Sequence, residues 1–155
     1  MMFFRRRRDG SIAVALPEEL GQLLGRLNED LRDLLLADGD DRLRRLYPTA
    51  YPEHEGLDQE YQELMHGELI ESRLAALDTV DGCLTATSVD DAQLTQWMQA
   101  INSLRLVLGT QLDVSEDDHQ VAPDDPDAPT YALYDLLNLL LAEMVEVLSG
   151  SLPTR

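Results

Sequence analysis

Lysine is absent from this 155-residue chain, cysteine occurs once, and only eight residues are aromatic. The lone thiol, Cys83, excludes an intramolecular disulfide and leaves four-thiolate and mixed Cys/His structural zinc sites short of ligands. Its isolation points to a reducing compartment. Nucleophile signatures, glycine-rich phosphate loops and dinucleotide fingerprints are missing as well, so generic hydrolase or transferase chemistry has no support and no cofactor is expected. Long uninterrupted apolar runs are also lacking. The greasiest stretch, Leu133 to Leu148, contains Asp135, Asn138, Glu143 and Glu146, each costly at membrane depth, and reads as a buried core helix. The apolar segment Ile12 to Leu16 is too short for a signal-peptide core and runs into Pro17-Glu18-Glu19, so a cytoplasmic protein is expected. Abundant Leu, Ala, Asp and Arg without lysine resemble the coding bias of a GC-rich, actinobacterial type of source.

What is present is charge of one sign. Thirty Asp and Glu face twelve basic residues, all arginine, for a formal net charge of −18. Such a surface repels nucleic acid phosphates and anionic lipid, so neither direct nucleic acid binding nor membrane binding is expected. Four arginines fall in one run, Arg5 to Arg8, as the cationic exception. No helix carries the basic face of a DNA recognition helix.

Asp9-Gly10 favours a two-residue hairpin turn between Phe3–Arg8 and Ser11–Leu16. That register places Phe3, Arg5 and Arg7 on one face with Leu16, Val14 and Ile12. Pro17, Glu18 and Glu19 open a helix over 17–37 with a three-four stripe from Leu20 to Leu35. A helical turn follows from Asp40 to Leu46. Three further helices are expected over 57–77, 90–110 and 130–148, with Asp90 or Ser88 capping the one over 90–110. Residues 115–129, with six acidic residues and three prolines, read as an acidic mobile loop. The last helix is apolar nearly all round and belongs in the middle of a bundle. Together these elements predict a mainly α, single-domain bundle of four to five helices with a short N-terminal β-hairpin.

Candidate functional residues are few. Glu63 and His66 form a Glu-x-x-His pair, the spacing that carboxylate-bridged di-metal bundles use. The chemistry needs a second pair, and the only other match, Glu116 with His119, lies in the acidic loop. Helix surface explains the pair more simply. Cys83, preceded by Gly82 near a helix end and flanked by Asp78 and Asp81, has surroundings that disfavour a thiolate, leaving oxidation as a minor alternative. Arg105 interrupts an apolar stripe and reads as the partner of a carboxylate. Arg5, Arg6, Arg7, Arg8, Trp97 and Arg105 are the residues expected to meet a protein partner.

Three stretches carry a resemblance: Arg45-Leu46-Tyr47-Pro48-Thr49-Ala50-Tyr51, the segment Trp97 to Leu112, and Tyr131 to Leu140. They resemble the actinobacterial AosR-like proteins, a family mostly of unassigned function. The resemblance implies a cytoplasmic protein often encoded beside the proteolytic adaptor ClpS, with one branch acting in oxidative-stress transcription alongside a sigma factor. That branch is associated with a Cys-x-x-x-Cys switch, which Cys83 alone cannot reproduce. The expectation is therefore a non-enzymatic regulatory or interaction protein, acting on a sigma factor or other transcription component and able to form a homodimer through its apolar excess.

Overall fold

The computed structural model describes residues 3–37, 40–46, 55–112 and 124–150, without the side chains of 55–59 and 61–64. The protein is mostly helical, as its periodicity requires. Strands β1 (Phe4–Arg6) and β2 (Ile12–Val14) precede helix α1 (Glu18–Ala37), a 3-10 helix (Asp41–Leu46) and helix α2 (Glu55–Cys83). Strand β3 (Ser88–Val89) and helices α3 (Asp91–Leu112) and α4 (Ala128–Ser149) complete the order.

The hairpin forms, but its register differs by one residue from the expected one. Phe4 pairs with Val14, Arg5 with Ala13 and Arg6 with Ile12. The connection holds three residues, Arg8, Asp9 and Gly10, and closes with Arg7 N–H donating to Ser11 O at 2.8 Å. Gly10 takes the left-handed backbone at φ +91° that such a bulged turn requires. The Asp9 carboxylate then accepts from the N–H and hydroxyl of Ser11 at 2.9 and 2.7 Å. A one-residue slip exchanges the faces of a strand, so Phe4 and Arg6, rather than Arg5 and Arg7, share a face with Ile12 and Val14. Strand β3 extends the sheet on the far side of β2, Val89 opposite Ile12, in a segment whose sequence reads only as a connector.

Helix α2 continues past Leu77 because its last turns have partners. Ala76, Leu77, Val80 and Cys83 are buried. On the side facing α1, Arg32 meets Asp78 at 3.0 Å and Asp81 at 2.7 Å, and Asn28 Nδ2 donates to Asp81 at 3.0 Å. These contacts outweigh the roughly 1 kcal/mol that glycine at position 82 costs a helix. Helix α3 starts on a capping box: Asp90 Oδ1 accepts the Gln93 N–H at 2.7 Å, and Gln93 Oε1 accepts the Asp90 N–H at 2.9 Å.

The central helix is α3, not α4. Helix α3 packs against α1, α2, the 3-10 helix and α4, and none of residues 96–110 is exposed. Helix α4 rests on α3 and β1 alone among the stronger contacts, burying Leu137, Leu140, Met144 and Val147. Its surplus apolar residues stay outside, Leu139 54% and Val145 48% exposed. Apolarity all round a helix matches burial in general, but α3 supplies bulkier anchors and lies between more neighbours. Of the acidic loop expected over 115–129, residues 115–123 lie outside the described residues, and 128–129 already belong to α4.

Candidate functional site

The arginine run is divided by the hairpin into residues that hold the fold and residues that do not. Arg6 is fixed. Its Nη1 donates to Asp91 Oδ1 at 2.5 Å and to Gly10 O at 2.8 Å, while Nη2 reaches Asp91 Oδ2 and Val147 O, each at 3.3 Å. One guanidinium thus ties β1 to the start of α3 and the end of α4. The same hydrogen bonds hold the Asp91 carboxyl below the usual carboxylate range.

A second tie comes from Glu143, a residue that the sequence reading treats only as an interruption in a greasy helix. Glu143 is 7% exposed on the buried side of α4, and its Oε1 accepts the N–H groups of Phe3 and Phe4, the latter at 2.6 Å. Phe4 in turn meets Trp97 edge to face, ring centroids 5.6 Å apart at 76°. Trp97 is therefore core, fully buried, and cannot mark a partner surface as expected.

Arg5, Arg7 and Arg8 remain exposed. Arg7 Nη2 makes one long hydrogen bond, 3.4 Å to Thr87 O, and no partner for Arg5 or Arg8 stands among the described residues. The fold holds these cations out on a backbone that is itself fixed at both edges by Arg6 and Glu143. Apart from exposed Arg26, the described arginines elsewhere are engaged: Arg32 with α2, Arg42 and Arg44 with Asp40 and Asp41, Arg73 with Ser103 and Leu46 O, and Arg45 beside Tyr134. Arg105 differs from expectation. It donates to Asn102 Oδ1 at 2.7 and 3.2 Å, one turn back on α3, and meets no carboxylate among the described residues.

The three resembling stretches converge at Gly109. A β-carbon there would lie 2.9 Å from Arg45 Nη1 and 3.2 Å from Tyr134 Cε1, so glycine admits both side chains against α3. Close by in the same layer, Arg73 joins α2 to the 3-10 helix by donating to Leu46 O at 2.9 Å and to Ser103 Oγ at 3.1 Å.

Cys83 is a free thiol 6% exposed among core residues. His66 is half-buried on α2, while the Glu63 side chain and the Glu116 and His119 pair lie outside the described residues. Among the described residues no three His, Cys, Asp or Glu side chains converge as a metal site would need. No helix among them is long and apolar enough to cross a membrane.

The chain is 29% identical over 131 residues to the oxidative stress regulator AosR of Mycobacterium tuberculosis, and to the same extent to AosR of Mycobacterium bovis, covering 73% of this chain. The chain spans about 60% of the length of these curated relatives. No solved structure matches. A family model described as a domain of unknown function, DUF2017, matches residues 1–148, and the chain belongs to that family.

Proposed function

We propose that this protein is a cytoplasmic, non-enzymatic regulator that acts by binding another protein, a transcription component such as a sigma factor. The observation that carries the reading is the rigid display of Arg5 and Arg8, exposed and outside the network that holds the fold, on a chain of net charge −18. A guanidinium on a hairpin tied down at Phe4 and Arg6 loses less freedom on pairing than one on a flexible tail, so it adds specificity and speed to an encounter. Similarity to a regulator of oxidative stress supports the direction. Burial of the single thiol favours a response relayed through contacts rather than through a switch within the chain.

The test is in-cell crosslinking of tagged protein, with and without oxidant, followed by identification of the captured chains. Recovery of a transcription component is expected. Recovery of no specific protein under either condition overturns the reading.

A further inference from the structure

One face of the three-stranded sheet is open to solvent. Phe4, Ile12, Val14 and Val89 are buried on the inner face, so strand alternation turns Arg5, Ala13 and Ser88 outward, as one row across the sheet in the observed register. Arg7 lies on the same outer face, two residues along from Arg5. Its guanidinium reaches across β2 to Thr87 O at 3.4 Å, and that oxygen also accepts the Val14 N–H at 3.0 Å. Arg5, Arg7, Arg8, Thr87 and Ser88 are all exposed. The floor between the arginines is low, because Ser11, Ala13 and Ser88 carry nothing larger than a hydroxymethyl group.

Carboxylates beside the hairpin are already held. Asp91 pairs with Arg6 on the inner side, Asp9 accepts from the N–H and hydroxyl of Ser11, and Asp90 caps α3 on the Gln93 N–H. The acidic turn Asp124–Asp127 precedes α4, whose other end meets Arg6 through Val147 O, so about 30 Å of helix separates that turn from the hairpin.

From this arrangement we infer that the outer sheet face docks a short acidic segment of a partner protein, its carboxylates set against Arg5, Arg7 and Arg8 and the Ser88 hydroxyl. The inference deepens the proposed function and rests on it. Charge complementarity selects the occupant and its size. With a Debye length of about 8 Å at physiological salt, a segment docked here feels the arginines beside it and little of the carboxylates at the far end of the bundle. A nucleic acid strand, with a charge every ~3.4 Å, runs past the patch onto anionic surface and is repelled there. A second copy of the chain brings a charge of −18 of its own. A short acidic peptide ends where the arginines end.

The experiment is an NMR titration of the full chain, read at the arginine Nε–H groups and at the backbone N–H groups of Ala13 and Ser88. The probe is a capped peptide of aspartates alternating with serines; one control replaces the aspartates with asparagines, and a short oligothymidine stands for nucleic acid. The acidic peptide is expected to shift the Arg5 and Arg7 Nε–H signals and the Ser88 amide, and to bind at least about tenfold more tightly than either control. Arg5→Ser with Arg8→Ser, and separately Ser88→Asp, which sets a carboxylate beside Arg5, are expected to weaken it about tenfold. Arg26→Ser removes the same charge from exposed surface on α1 and is expected to leave binding within about twofold. Equal binding of either control, equal weakening by Arg26→Ser, shifts centred away from the sheet, or no shift at millimolar peptide overturns the inference. Light scattering that finds wild type self-associating and the Arg5→Ser, Arg8→Ser variant not doing so gives the face to a second copy and overturns it too. Cellular capture of a transcription component that survives both sets of substitutions removes this surface and leaves the proposed function standing; absence of capture by wild type removes the function itself.

Discussion

Glu143 Oε1 accepts the Phe4 N–H at 2.6 Å, so a carboxylate near the end of the last helix holds the first strand of the sheet. A strand at a sheet edge leaves alternate N–H groups without ladder partners, and Glu143 satisfies one of them inside the protein. Hydrogen bonds to a charged acceptor contribute about 1.5–3 kcal/mol each, and loss of the acceptor strands two buried donors. Glu143→Ala is expected to lower unfolding stability by about 2–4 kcal/mol in urea, with Glu143→Gln less harmful because its amide oxygen still accepts. A loss under about 0.5 kcal/mol for the alanine variant contradicts the assignment.

The arginine run should separate by residue. Arg5→Ser and Arg8→Ser are expected to leave stability within about 0.5 kcal/mol, as exposed substitutions do. Arg6→Ser removes the link to Asp91 and Val147 and is expected to lower Tm and speed hydrogen exchange at Ile12 and Val14. Thermal melts and exchange spectra of the single variants check this. Equal effects at positions 5, 6 and 8 refute the division.

Two arginine-paired carboxylates set an acid limit. The Arg42 side chain, with the Arg42 backbone N–H, lowers Asp40 to about 2, and Arg6 lowers Asp91. A depressed folded value means stability that is present above the unfolded value of about 3.9 and lost as pH falls through the folded one. Carboxyl NMR across pH 5 to 1.5 is expected to give Asp40 a midpoint near 2 that returns toward 3.8 in Arg42→Ser.

Phe4 and Trp97 form the aromatic centre of the core. Phe4→Ala is expected to cost about 3–5 kcal/mol and to move tryptophan fluorescence to the red, since it opens a space against the indole. An unshifted emission maximum would place Trp97 elsewhere.

Glycines differ by what surrounds them. Gly67 lies mid-helix in α2 with nothing within 4 Å of a β-carbon, so Gly67→Ala is expected to stabilise by about 0.5–1 kcal/mol. Gly109→Ala meets Arg45 and Tyr134 and is expected to lose that gain or reverse it. Paired urea melts decide the order.

The helices were legible because leucines recur at three-four spacing on α1 and α3, while the cap of α3 stayed open between Asp90 and Ser88, a choice that only the bond from the Gln93 N–H to the Asp90 carboxylate decides. Register was not, since Asp9-Gly10 serves both two- and three-residue loops and only the bond from Arg7 N–H to Ser11 O separates them. The place of α4 was misread because hydrophobicity measures what can be buried, not which helix finds the most neighbours; Leu139 shows the difference. Glu143 and Arg73 escaped attention for a common reason. Each is a polar residue whose role lies in a partner far along the chain, Phe4 for one and Leu46 O for the other, and no local pattern announces such a pairing. Trp97 was expected at a partner surface together with Arg105, but it lies on the side of α3 that the core covers completely.

The position of Cys83 turns that sulfur into a clock. Sitting 6% exposed beneath the junction of the second helix with the third strand, it reacts only as fast as that junction breathes. Uptake of a thiol reagent therefore times the local opening, and a ligand that braces the neighbouring loop at Leu84 slows the clock without ever touching it.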